Sequence, residues 1–158
     1  MKRKKIIKRS LLVVGLLIVM GLGYGAWLYF QPHRDVQATE TDYTLNASNI
    51  VDEYLKDATA ANQKYLDDEG ESKVLEIKGK VAKISDDFQG NTVILLKSDQ
   101  AKAGVKAFFT KETSAKAKQV QKGSTISIKG VIRSGANYDK DLGMYVDVVV
   151  EKSKVIKN

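Results

Sequence analysis

The spacing of apolar residues changes character along the chain, and each change predicts an element. Residues 11–30 carry no charge, and twenty helical residues at ~1.5 Å each span about 30 Å, the thickness of a bilayer's hydrocarbon. This predicts a single transmembrane helix. Residues 31–46 are polar, contain Pro32 and show no apolar period, which predicts a short stalk. From Ser48 or Asn49, either suited to an N-cap, Ile50, Val51, Tyr54, Leu55, Ala58, Ala61, Tyr65 and Leu66 recur at three- and four-residue spacing. One amphipathic helix over residues 48–66 is expected, ended by the polar residues 67–71.

From Lys73 onward the pattern turns to short β-branched runs separated by Gly, Asn and Asp. Strands are predicted over residues 74–84, 92–97, 105–110, 124–133 and 144–150, the last extending toward Ile156. Gly79, inside the first strand, is the place for a bulge or sharp bend that lets one strand serve two sheet surfaces. Residues 111–120 are rich in Ala, Lys and Gln and predict a short helix with Ala115, Ala117 and Val120 as its apolar stripe. Three strands, a helix and two strands is the order of a five-stranded Greek-key OB barrel. An open sheet or an SH3-like barrel fits the same strand count. The expected fold class is mainly β with an N-terminal helix: an OB-like barrel over residues 72–158, preceded by a basic tail (1–10), the transmembrane helix (11–30), the stalk (31–47) and the amphipathic helix with its connection (48–71).

Charge refines the picture. The chain has 26 basic and 19 acidic residues, a net charge of +7, but Lys2, Arg3, Lys4, Lys5, Lys8 and Arg9 all precede the uncharged stretch. Beyond it the two signs nearly balance, so bulk charge gives no case for nucleic acid. The lopsided flanks keep the N-terminus in the cytoplasm and send the rest across the cell membrane to the extracytoplasmic side. Trp27 and Tyr29 then fall at the outer interface, where amphipathic rings settle, and the lipid bilayer is the first partner. A cleaved signal peptide is the rival, with residues 36–38 as a loose cleavage site. The apolar run exceeds the usual ~7–15 residues, and Arg34 and Asp35 intervene. Gly21 and Gly25 stand at the spacing that lets two membrane helices pack closely, a candidate dimer contact.

Ala61, Asn62, Lys64, Tyr65, Val74, Glu76, Ile77, Gly79, Lys80, Val81 and Ile84, followed by Gly104, Val105, Ala107 and Phe108, form one half of a further pattern. Lys122, Gly123, Ile126, Ile128, Lys129 and Gly130 complete it. In spacing and glycine placement they resemble the bacterial tRNA-anticodon-like OB family. The resemblance covers roughly residues 48–150 and implies an OB fold on an envelope or secreted protein. It carries no catalytic motif.

An OB barrel commonly binds on its second and third strands, between the loops joining strands one and two and strands four and five. Phe88, Lys97, Lys106, Phe109, Arg133, Tyr138, Lys140 and Tyr145 are the candidate ligand-binding residues. Rings stack on bases or sugars and cations meet phosphates, while lysines on exposed strands also simply solvate a sheet. Phe108 and Phe109 point to opposite faces, so one fills the core. Residues 31–71 hold three basic and ten acidic residues (net −7), and residues 72–158 hold seventeen and nine (net +8). The two halves can complement each other, or the barrel can meet an anionic polymer or lipid headgroups.

The absence of Cys removes disulfides, thiolate nucleophiles and Cys-bound zinc. His33 is the only histidine and lies beside the apolar stretch. Asp139, Asp141 and Gly143 faintly resemble a calcium loop but lack the distal Glu, and Asp86 and Asp87 have no partner base. No cofactor, metal or enzymatic activity is expected. The expected function is a membrane-anchored binding module that contacts an envelope protein or assembly. The alternative is an anionic polymer, cell-wall glycan or nucleic acid, bound through the aromatic and basic OB face.

Overall fold

The computed structural model describes residues 2–29, 34–67 and 72–157, with side chains in the first helix given for residues 13–27 and 29. Two compact units result, Met1–Arg34 and Asp35–Asn158. The first is helix α1 (Lys2–Tyr29). Tyr24 and Trp27 stack at 5.9 Å on its surface, and a Cβ at Gly21 or Gly25 would meet nothing within 4 Å. The side chains of Lys2, Arg3, Lys4, Lys5, Lys8 and Arg9 lie outside the described residues, as does His33. Among the described residues no helix is long and apolar enough to cross a membrane.

The second unit is built on β2 (Val74–Asp86), β3 (Thr92–Leu96), β4 (Val105–Phe109), helix α4 (Lys111–Ala117), β5 (Thr125–Ser134) and β8 (Val148–Lys157). Around the barrel the order is β2-β3-β4-β8-β5, closed by pairing of β5 with β2. Strands β4 and β8 run parallel and the other barrel neighbours antiparallel. The first strand serves two surfaces as expected: Val74–Lys80 pairs with β5, and Val81–Asp86 with β3 across a register shift. Its Gly79 sits where a Cβ would lie 3.0 Å from both Ala47 and Leu96. Ile77, Ile94, Leu96, Ile126, Ile128 and Val150 fill the interior, each burial contributing about 1.5–3 kcal/mol before entropy is charged against it.

One mouth is closed by α4. Ser114, Ala117 and Val120 face inward, whereas Ala115, expected in the stripe, is exposed. The Ser114 hydroxyl accepts from the Thr92 backbone N–H at 2.9 Å, and the Thr113 hydroxyl donates to the Ser153 carbonyl at 2.7 Å. Toward the other end lie two helices where one was expected, α2 (Ala47–Lys56) and α3 (Ala58–Tyr65). The break is at Asp57, whose extended backbone stops α2 and whose carboxylate accepts from the Ala60 N–H at 3.0 Å to cap α3. Ile50, Val51, Tyr54, Ala61 and Tyr65 join the core.

The stalk is corrected most. From Asp35 the chain belongs to the barrel unit, and Tyr43–Asn46 forms β1, parallel to Leu75–Lys78 of β2. Val36 is 3% exposed. The Gln37 side-chain amide donates to the Lys152 carbonyl, and the Lys129 ammonium donates to the carbonyls of Gln37 and Thr39. The Asp42 carboxylate accepts from the Val74 N–H at 2.7 Å. A polar composition hid this strap because its attachment needs few apolar residues and many backbone hydrogen bonds. On β8 the strap meets a bulge: Lys152 has φ 50°, and opposite it a Cβ on Gly130 would fall 2.6 Å from Val150 and 2.8 Å from the Glu151 carbonyl.

Candidate binding face of the barrel

Alternation along β3 and β4 decides which side chains the outer face presents. Ile94, Leu96, Val105, Ala107 and Phe109 point into the core, leaving Leu95, Lys106 and Phe108 half-buried outside. Phe109, expected to meet a ligand, is therefore a core residue at 3% exposure. Phe108 replaces it, paired with Val93 as Lys106 is paired with Leu95, and Val149 stands beside Lys106 from β8. The signal was present: Lys106 has to be outside, which fixes Phe108 on the same side. Helix α2 packs against β1 and β2, and α3 packs on α2.

The face has aromatic groups at its two ends. At one, the turn between β2 and β3 is held by Asp87, whose carboxylate accepts from the backbone N–H groups of Gln89 and Asn91 at 2.8 Å each. Those bonds, that of Asn91 first, lower its pKa. Phe88 is fully exposed at the tip. At the other end the expected loop between the last two barrel strands contains a hairpin, β6 (Asn137–Asp139) and β7 (Met144–Val146). Tyr138 and Tyr145 face each other across it at 5.0 Å. The Lys102 ammonium lies 5.5 Å from the Tyr145 ring. Asp139 turns the hairpin by accepting from the N–H groups of Asp141 and Leu142, and Lys140 is exposed at the turn. Phe88 and the tyrosine pair are thus separated by a strand's length, about 17 Å for five residues.

The cations of this region are largely engaged by the barrel itself. Lys106 pairs with Asp147 at 3.7 Å, and the same carboxylate accepts from the Gly104 N–H at 2.8 Å. Lys97 donates to the Lys102 carbonyl. Lys118 pairs with Asp86, and Lys80 with Asp99. Exposed apolar groups remain: Tyr138, Leu142 and Met144 on the hairpin are 50%, 68% and 54% exposed. Lys102, Asp147 and Leu95 were not singled out by spacing, because only the fold brings the β3–β4 loop beneath the hairpin.

Arg133 belongs elsewhere. It pairs with Glu151 at 4.0 Å and lines a cavity of about 260 Å³ with Tyr54, Asn62, Leu66, Gly135 and Asn137, between the α2–α3 pair and the start of the hairpin. Among the described residues the Tyr54 hydroxyl is buried without a hydrogen-bond partner, and burial pushes its pKa up to about 12. Behind it Lys64 lies 4.7 Å from the Tyr65 ring and 5.4 Å from that of Tyr43, and donates to Glu53 at 2.9 Å. The Tyr65 hydroxyl donates to the same carboxylate. Burial opposes the charge on Glu53, but the bonds from Lys64 and Tyr65 outweigh it and lower its pKa.

A family model for tRNA_anti-like proteins matches residues 1–141, which leaves β7 and β8 beyond the match. Among solved structures, a lipoprotein of Klebsiella pneumoniae subsp. pneumoniae MGH 78578, provisionally named as nucleic acid-binding, aligns with a TM-score of 0.53 at 16% identity. The alignment covers 80% of this chain and 100% of that one. At such identity the likeness concerns the fold. Among curated proteins none matches.

Proposed function

The chain belongs to the tRNA_anti-like family, and from there we propose that it is a membrane-tethered, non-enzymatic OB module that receives a protein partner outside the cytoplasm. The uncharged residues 11–30 behind six basic ones support the tether and its orientation. One observation favours a protein partner: Leu95, Phe108, Val149, Tyr138 and Met144 supply half-buried to exposed apolar surface, while Lys106 is already neutralised by Asp147. Apolar anchors ringed by satisfied charges suit a protein–protein contact, in which a few aromatic residues supply most of the affinity.

Photoreactive residues placed at Phe108 and at Tyr138 in intact cells test this. Both should yield the same discrete adduct, and Phe108→Ala should weaken the isolated complex by roughly five- to thirty-fold. Adducts with no common protein sink the reading. A second reading, nucleic acid on the same face, draws on the name of the Klebsiella structure and on Lys97 and Lys102 beside Tyr145. It requires affinity for single-stranded oligonucleotides that falls steeply with salt.

A further inference from the structure

A second outer face, on β2, β5 and β8, differs from the one already assigned. Register places Glu76, Lys129 and Lys154 in one row across the three strands, and Lys78, Ser127 and Lys157 in the next. Lys78, Lys152, Lys154 and Lys157 are exposed and make no ion pair among the described residues. Acidic groups on or near the face are Glu76, Glu151, which pairs with Arg133, and Asp35, Glu40 and Asp42 of the strap, the last paired with Lys73. The Asp35 carboxylate accepts from the N–H groups of Gln37 and Ala38. Cations therefore exceed anions here, without the internal neutralisation seen around Lys106.

The strap lands on this face. Gln37 bonds to Lys152 and is held by Lys129, and Val36 is buried. In sequence Val36 follows Phe30, the end of the apolar stretch, by six positions, and six residues reach roughly 20 Å when fully extended. Were the chain to leave a bilayer at Phe30, its length alone would limit how far from the surface the strap's attachment at Lys129 could lie. Surface lysines this close to an anionic bilayer fall within the range over which headgroup charge attracts them.

We propose that the β2–β5–β8 face docks on anionic lipid headgroups, turning the apolar β3–β4 face toward its partner. This rests on the tether reading above. The chain lacks cysteine, so a single Thr125→Cys or Gln89→Cys substitution gives a unique attachment point for a nitroxide. Thr125 borders the lysine rows, Gln89 lies on the turn at the far end of β2, and both are exposed. Full-length labelled protein is placed in phosphatidylglycerol or phosphatidylcholine nanodiscs carrying a headgroup-bound gadolinium chelate. Relaxation at position 125 should be strong in phosphatidylglycerol and weak in phosphatidylcholine or at high salt, while position 89 stays weak throughout. The triple variant K78Q/K154Q/K157Q should lower the docked-to-undocked ratio by about tenfold or more. Circular dichroism confirms that this variant is folded, and the single variant K154Q replaces it if not. Equal relaxation in the two lipids by protein that stays integrated overturns the docking and leaves the tether intact. Protein that never integrates overturns the tether, and the docking with it. Protection of position 125 by a soluble oligonucleotide, but not by phosphatidylglycerol, assigns the face to a polymer and also overturns the proposal.

Discussion

The barrel is closed at one end through hydrogen bonds and toward the other through aromatic packing. At α4, seven residues suffice because Ser114 and Thr113 tie the helix to Thr92 and Ser153. Among the described residues the α2–α3 pair makes no side-chain hydrogen bond to the barrel strands and instead buries Ile50, Val51, Tyr54 and Tyr65. A plug held by directed bonds needs little apolar surface, whereas one held by packing must match its neighbour's shape closely. The second end should therefore tolerate polar changes and resist steric ones, and the first should do the reverse.

The steric test is the larger. A Cβ on Gly135 would lie 1.9 Å from the Tyr54 ring, so Gly135→Ala should cost about 3 kcal/mol in urea unfolding. A loss under about 1 kcal/mol would show that the aromatic end is loosely packed. At the other mouth, Ser114→Ala leaves the buried Thr92 N–H without its acceptor and should cost about 1–3 kcal/mol. Ser114→Thr should restore part of it if the hydroxyl is what matters.

Smaller changes come from titration. Glu53 has a lowered pKa, so its contribution is complete above the unfolded value of 4.5 and is lost as pH falls through the folded one. The Lys64–Glu53 pair is more than a third exposed, so Glu53→Gln should cost only about 0.5–1 kcal/mol near neutral pH and flatten the acid limb of a stability profile. Smallest at neutral pH is Tyr54→Phe, which removes an unpartnered hydroxyl and should change stability by less than about 1 kcal/mol. The raised pKa of Tyr54 reverses the direction of the pH effect. Stability is complete below the unfolded value of 10.0 and declines as pH climbs toward about 12. The Phe variant should lose part of that alkaline decline.

The barrel was legible because β2, β3, β5 and β8 each carry several β-branched residues between Gly, Asn or Asp punctuation, β4 adds Val105 and two phenylalanines, and Gly79 marked the bend. The helix break was not, since Asp57 interrupts the apolar period for a single position and the residues on either side remain helical in pattern. Strand β1 escaped because four residues, Tyr43–Asn46, within a polar stretch fall below any periodicity. On the candidate face, Phe88 and the Tyr138–Tyr145 pair emerged in loops as read, while Phe109 and Arg133 did not. Two adjacent phenylalanines leave parity undetermined until Lys106 is used to set it. Arg133 sits at a strand end, from which its side chain meets Glu151 and the α2–α3 cavity.

The strap across β5 and β8 also determines how the module bears tension. A pull along the chain from Arg34 reaches the Gln37 amide and the Lys129 ammonium before it reaches any ladder of the barrel. Those side chains act as a mooring, and the strands behind them stay unstrained until it slips.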